Sequence, residues 1–191
     1  KALDIDDAVD LVEDLEKIDQ DTFLENLEEK DRSLIEEGLK YPTDSAGRLM
    51  QRRFVSINEN WNVGQAIDYL RNNKNNLPDD FYDIYLTNNL MKVSGVVPLG
   101  RLMGSKRDVE LRKIMNKETK LIDVYTDQED VAYLFSKYGL VSAAVIDKNE
   151  KIIGSITVDD VVEVIEEERE EDILKLGGVG QTDIYNAVID T

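Results

Sequence analysis

A pattern of short strands and helices runs through this chain twice, and that duplication limits its fold more than any other feature. Residues 54–57 (strand), 63–71 (helix), 84–87 (strand) and 93–97 (strand) are matched by 121–125, 129–137, 143–147 and 152–156. Gly95 and Gly154 open the last strand of each set, giving a period of roughly 60 residues, and each set then turns into a further helix. The expectation is two β-α-β-β-α units that bury their sheets against each other. Thr87-Asn-Asn-Leu90 and Asp147-Lys-Asn-Glu150 read as the turns between paired strands, where Asn and Asp tolerate tight geometry. Tyr82, Tyr85, Phe135 and Tyr138 are expected to pack in the core or between the units, with a ligand cleft there as the alternative.

Residues 1 to about 40 carry a helical period instead. Leu3, Ala8, Val9, Leu11, Val12 and Leu15 recur at that spacing, followed by Phe23, Leu24 and Leu27, then Leu34, Ile35 and Leu39. Asp21 and Asp31 read as helix starts, Gly38 and Pro42 as stops. So short a segment cannot build a core of its own, so it packs on the rest of the chain or continues a helical array upstream. The fold class is α+β.

After the second unit comes Thr157-Val-Asp-Asp-Val-Val-Glu-Val-Ile-Glu-Glu-Glu-Arg-Glu-Glu-Asp172, with nine carboxylates and one cation. On a helix, Val158, Val161, Val162, Ile165, Ile173 and Leu176 share one face, while Asp159, Asp160, Glu163, Glu166, Glu167, Glu170 and Glu171 crowd an opposing arc of about 140°. Like-charged pairs three and four residues apart cost roughly 0.2–0.5 kcal/mol each, about 2–4 kcal/mol in all. A bound divalent cation would remove much of that penalty; a solvated linker helix is the plainer reading.

Composition narrows the chemistry. With 23 basic and 41 acidic residues the chain carries a formal charge of −18, which argues against nucleic acid or an anionic membrane surface as direct partners. It has neither Cys nor His, which removes disulfides, thiolate and imidazole metal sites and the usual nucleophilic triads. Any metal must therefore be held by oxygen, which suits Mg²⁺, Ca²⁺ or Mn²⁺. No apolar run is long enough to span a membrane, and no basic-then-apolar leader opens the chain. The start at Lys1 suggests a fragment of something longer. There is no phosphate loop and no dinucleotide fingerprint. Gly177-Gly178-Val179-Gly180 reads as a helix cap and hinge, and Asp147-Lys-Asn-Glu-Lys-Ile152 has Ile152 where a calcium loop needs Gly. An enzyme is not expected.

The second unit, ending in Gly-Ser-Ile-Thr-Val-Asp-Asp160, resembles half of a tandem cystathionine-β-synthase-type (CBS) pair. More specifically, Tyr41-Pro-Thr-Asp-Ser-Ala-Gly-Arg-Leu-Met50, Tyr125-Thr-Asp-Gln-Glu-Asp-Val131, Thr157-Val-Asp-Asp-Val161 and Glu171-Asp-Ile-Leu-Lys-Leu-Gly177 resemble, in order, four signatures of the cytosolic part of MgtE-type magnesium transporters. The resemblance implies a helical N-domain segment and junction at 1–52, CBS units at 53–115 and 116–162, a connecting "plug" helix at 160–177, and a tail at 178–191 leading to a membrane domain outside this chain. It implies a homodimer formed through the CBS pairs, on the cytoplasmic side of the cell membrane, which binds Mg²⁺ to favour a closed pore. By motif, the implied Mg²⁺ ligands are Asp6, Asp10, Asp127, Glu129, Asp160, Glu163, Glu168, Glu171 and Asp172. Gly139 stands where the family has an acid and Arg48 where it has a glycine, so at least one cation site differs. Thr157 and Asp160 match the ribose-holding motif of CBS units, but the first unit has Pro98 and Arg101 there, and Asp83 replaces a family tyrosine. ATP binding is therefore expected to be weak or absent. The alternatives are an adenine-nucleotide-responsive module and a plain dimerisation scaffold.

Overall fold

Alternating apolar runs build two three-stranded sheets of identical topology in this computed structural model, which describes residues 5–13, 15–78 and 80–177. In the first unit β1 (Ser56–Asn58) lies parallel to β2 (Asp83–Thr87), which pairs antiparallel with β3 (Val93–Pro98). In the second, β4 (Leu121–Asp123), β5 (Ser142–Ile146) and β6 (Ile152–Thr157) repeat that order and direction. The crossovers are α5 (Val63–Asn72) and α8 (Gln128–Tyr138). Asn62 and Gln65 close α5 with a reciprocal capping box, and Asp127 caps α8, accepting from the Glu129 amide at 2.9 Å. Gly139, at φ +59, closes α8 in the left-handed region.

The hairpin turns repeat in detail. Asn88 Oδ1 accepts from the amides of Leu90 and Lys92, and Asp147 Oδ1 from those of Asn149 and Lys151. Met91 and Glu150, each three residues further on, take φ of 62° and 61°. A turn motif that recurs with its strain intact marks a duplication of structure as well as of sequence pattern.

Each unit also borrows from the segment that precedes the other. The short α4 (Ala46–Leu49) and Met50 join Ile122, Val131, Phe135 and Ile156 in the second core, and Gln51 exchanges backbone hydrogen bonds with Ser155 of β6. The short α7 (Leu111–Ile114) and Met115 pack in the first core, and Asn116 exchanges the equivalent bonds with Val96 of β3. These crossings demand glycine opposite them. A Cβ on Gly154 would meet Met50 Cγ at 2.8 Å, and one on Gly95 the Asn116 carbonyl at 2.7 Å. Residues 46–51, grouped by sequence with the N-terminal segment, thus pack into the second unit.

The units meet through Tyr85, Val96, Ala144 and Ile152, backed by Phe54 and Val93. Tyr85 adds polar bonds to this contact. Its hydroxyl lies 2.9 Å from Ser142 Oγ and 2.6 Å from Ser155 Oγ, and burial pushes its pKa up to about 12. Phe135 is buried as expected, whereas Tyr82 and Tyr138 are exposed, the latter with Lys120 over its ring at 4.1 Å.

The N-terminal helices α1 (Ile5–Glu13), α2 (Lys17–Glu25) and α3 (Glu29–Gly38) gather Ala8, Val9, Val12 and Ile35 into a small cluster with Phe23, Leu24, Leu27 and Leu39. Gly38 ends α3 as expected, but Asp21 lies inside α2 and Asp31 in the first turn of α3. The N-caps are Glu16 and Glu28, neither bonding through its side chain. A glutamate seldom caps a helix, so the sequence carried no usual start signal at these two places. Two α-helices remain among the described residues: α6 (Leu99–Gly104) after β3 and α9 (Val158–Gly177) after β6.

Candidate functional site: the acidic helix and its root

Helix α9 grows directly out of β6, and its first turn is held by a carboxylate. Asp160 Oδ2 accepts from the Thr157 amide at 2.7 Å and from Thr157 Oγ1 at 2.8 Å, while its Oδ1 accepts from Gln51 Nε2 at 2.9 Å. This Thr-x-x-Asp arrangement satisfies one amide that the helix start leaves open, that of Thr157. Burial pushes the Asp160 carboxyl above its ordinary range, and the bonds from Thr157 and Gln51 pull against that shift. Asp160 is therefore a structural pin of the helix root, with both oxygens already engaged.

The body of α9 packs on α8 through Val161 and Val164, which are buried against the second core and its surroundings. Val158, Val162, Ile165 and Ile173, which helical spacing places on one face with Val161, are exposed. At about 100° per residue the buried edge is turned about a quarter turn from the centre of the apolar stripe. The sheet and α8 fix where α9 leaves β6, and that exit angle overrides the stripe.

Glu163, Glu166, Glu167 and Glu170 face solvent, as expected of the acidic arc. Glu168 is part-buried and accepts from Gln128 Nε2 at 2.9 Å, tying the middle of α9 to the first residue of α8. Beside it, the Gln128 amide donates to the Asp44 carbonyl at 2.8 Å, and Ser45 pairs with Asp127. The junction, the start of α8 and the middle of α9 thus meet at one corner. Asp127 and Glu129 are exposed there, in the turn where the helix dipole favours negative charge. Asp6 and Asp10 lie on α1, and Glu171 and Asp172 on α9; their side chains lie outside the described residues. Among the described residues, no three carboxylates stand together closely enough to hold a metal ion.

Gln51 and Gln128 were not anticipated. Both are neutral amides far in sequence from the carboxylates they hold, and composition and periodicity carry no signal for such a contact.

A shallow, open cleft adjoins the root of α9. Phe54, Phe81, Tyr82 and Tyr85 line it with Asp80, Asp83, Arg53 and Thr157. Asp83 Oδ2 accepts from Ser142 Oγ at 2.7 Å, and burial raises its carboxyl, the Ser142 bond opposing. In the first unit, the place of Asp160 is taken by Arg101, whose Nη1 donates to the Ile114 carbonyl at 2.9 Å and to Asn116 Oδ1 at 2.6 Å.

Comparison with known proteins adds identity to this geometry. The family model described as the MgtE intracellular N domain matches residues 1–44, and that of the CBS domain matches 111–167. The magnesium transporter MgtE of Thermus thermophilus is 31% identical over 183 residues, covering 94% of this chain and 40% of that protein. That of Bacillus subtilis is 27% identical, again over 94% of this chain and 40% of the relative. The chain thus spans about two fifths of the length of these curated relatives. Among solved structures, the soluble part of a magnesium transporter superposes with a TM-score of 0.81 at 31% identity, over 87% of this chain and 64% of that one. The cytosolic domain of the Mg²⁺ channel MgtE in complex with ATP gives 0.80 at 27%, over 85% and 66%.

Proposed function

The chain belongs to the MgtE family of magnesium transporters, as its N domain and CBS pair, and from that premise we propose that it senses Mg²⁺ and gates a membrane domain of the same protein. The observation that carries this reading is α9, whose outward carboxylates are left in repulsion along a helix pinned at its root to the CBS pair. Glu163 lies on the acidic arc of α9, and Glu168, Glu171 and Asp172 are the further acids of that helix assigned to the ions. Asp127 and Glu129 at the start of α8, and Asp6 and Asp10 on α1, are the acids of other segments assigned to the same ions. Asp160 acts differently from the rest: it holds the helix root, and its engaged oxygens leave it the weakest candidate for direct contact with the ion.

The mechanism is linkage. Ions that bind only the closed arrangement stabilise it by RT ln(1 + [L]/K_d) per independent site, so several weak sites together bias a switch. A second copy pairs through the CBS units, and the exposed row of Val158, Val162 and Ile165 supports such pairing. In this reading the chain lies on the cytoplasmic side of the membrane. No helix among the described residues is long and apolar enough to cross one.

The test is hydrogen exchange of α9 during a Mg²⁺ titration at fixed ionic strength, with Na⁺ as control. Protection of residues 160–177 by Mg²⁺, reduced in Glu163→Gln/Glu168→Gln, supports the assignment. Exchange that ignores Mg²⁺ would leave α9 a charged linker in a dimerisation scaffold.

A second reading, an adenine nucleotide in the aromatic cleft, is favoured by Thr157 and by the relative solved with ATP. Against it stand Asp80 and Asp83 in the lining and the prior engagement of both Asp160 oxygens. A triphosphate entering there meets two carboxylates and one lining arginine. ATP binding is therefore expected to be weak or absent, and clear saturation in a calorimetric titration overturns this.

A further inference from the structure

The N-terminal helices present two acidic helix ends to the CBS pair. Glu13 is the last residue of α1 and Glu37 lies in the last turn of α3, and neither helix has a basic residue in that turn. Carbonyl ends of helices carry partial negative charge, so an acid there adds like to like and calls for a cation. Two arginines, four residues apart at the junction, supply it.

Arg48 of α4, its side chain 3% exposed, pairs with Glu13, whose own side chain is 42% exposed. Thr43 Oγ1 also donates to Glu13 at 3.4 Å. Arg52, 6% exposed, places Nη1 3.3 Å from Glu37 Oε1. Its guanidinium lies 5.3 Å from the centre of the Tyr41 ring, which stands edge-on to Tyr125 of the second unit at 5.9 Å. A buried guanidinium is tolerated only when paired, and Glu13 and Glu37, which pair with these two, lie on the N-terminal helices. The Arg48 guanidinium holds the Glu13 carboxyl below the usual range, as a standing ion pair does.

We propose that Arg48 and Arg52 are resident counter-ions that latch α1 and α3 to the CBS pair, so that this interface closes before any divalent cation binds. The latch is built from this chain's own side chains at positions 13, 37, 48 and 52. Its consequence for ion sensing rests on the proposed function. A receptor whose binding-competent form is already populated does not spend ion affinity on docking, since the apparent dissociation constant is the intrinsic one divided by the competent fraction.

The absence of cysteine makes the test direct. Spin labels at Ser33→Cys on α3 and Ser136→Cys on α8 report the distance between the N-terminal helices and the second unit. In chelator at moderate ionic strength, the otherwise unaltered chain is expected to give one narrow distance distribution that Mg²⁺ leaves in place. Arg48→Ala/Arg52→Ala is expected to raise the undocked fraction at least tenfold in chelator. Glu13→Gln/Glu37→Gln, which changes only half-exposed side chains and keeps the packing of α4, is expected to do the same to a smaller degree, with the melting of the CBS pair unchanged. An unaltered chain that is undocked in chelator and docks with Mg²⁺ overturns the latch, as does a glutamine variant that stays docked. Mg²⁺ protection of α9, followed in parallel, reports on the sensing role separately. Its loss would sink that reading while leaving arginine-dependent docking standing.

Discussion

The two CBS units share strand order, crossover helix and turn geometry, yet they hold their last helices by opposite means. In the second unit a buried carboxylate, Asp160, caps the first turn of α9 and takes a bond from Gln51. At the equivalent place in the first unit, an exposed Arg101 reaches across to the segment around Ile114 and Asn116. The shared frame follows from backbone patterns that survive substitution. The unshared residues decide which helix is a firmly rooted lever and which is a short connector. Duplication thus supplied two platforms, and divergence at a few equivalent positions gave only one of them the long acidic arm.

If this contrast is correct, Asp160→Ala is the most damaging of the substitutions that probe it. It leaves the buried Thr157 donors and the half-buried Gln51 amide without this acceptor and is expected to cost about 2–3 kcal/mol in urea unfolding. Arg101→Ala, at an exposed site, should cost less than about 1 kcal/mol. Equal losses would mean that the two helix roots are held alike.

The glycine pair sharpens the comparison. Gly95→Ala presses a Cβ on the Asn116 carbonyl, part of the backbone, whereas Gly154→Ala presses on the buried but unbranched side chain of Met50. Both are overpacking changes of about 1–3 kcal/mol, with Gly95→Ala expected at the upper end and Gly154→Ala at the lower. The reverse order would show that Met50 is the less yielding neighbour.

Tyr85→Phe removes the hydroxyl that joins the units through Ser142 and Ser155. About 1 kcal/mol is expected, because Ser142 keeps its bond to Asp83. A loss several times larger would make this one contact, and not the apolar patch around it, the main tie between the units.

The smallest effect concerns Asp83, which faces Ser142 across the interface. Its folded pKa is raised, so between the ordinary carboxylate value and the raised one the folded chain binds more protons than the unfolded chain. Its contribution to stability therefore falls as pH rises through that window and does not return above it. Asp83→Asn should flatten this part of the profile and slightly raise the melting temperature near neutral pH, with solvent screening keeping the gain small. Melting profiles that run parallel across the acid range would remove Asp83 from the account.

The strands and crossover helices of the duplication were legible in the sequence to within a residue or two, because alternation and helical period are local properties. The acidic character of α9 was equally plain. What could not be read was where α9 would turn its faces: Val162 and Ile165 look like core residues until the exit from β6 rotates them outward. Nor could the sequence show α4 packing into the second unit, since Met50 and Gly154 meet across about a hundred residues. Among the site residues, Thr157 and Asp160 were legible as a motif, but the motif does not say that the carboxylate closes on its own helix. The amides of Gln51 and Gln128 carried no charge or period to betray them.

Gln51 and Arg52 are consecutive residues that face different tasks. Gln51 grips the root of α9 through Asp160, and Arg52 grips the end of α3 through Glu37. Neighbouring Cα atoms stay about 3.8 Å apart whatever else moves. The grip on the N-terminal helices and the grip on the base of the long helix therefore sit one peptide unit apart, so a substitution that displaces either side chain acts within a residue of the other.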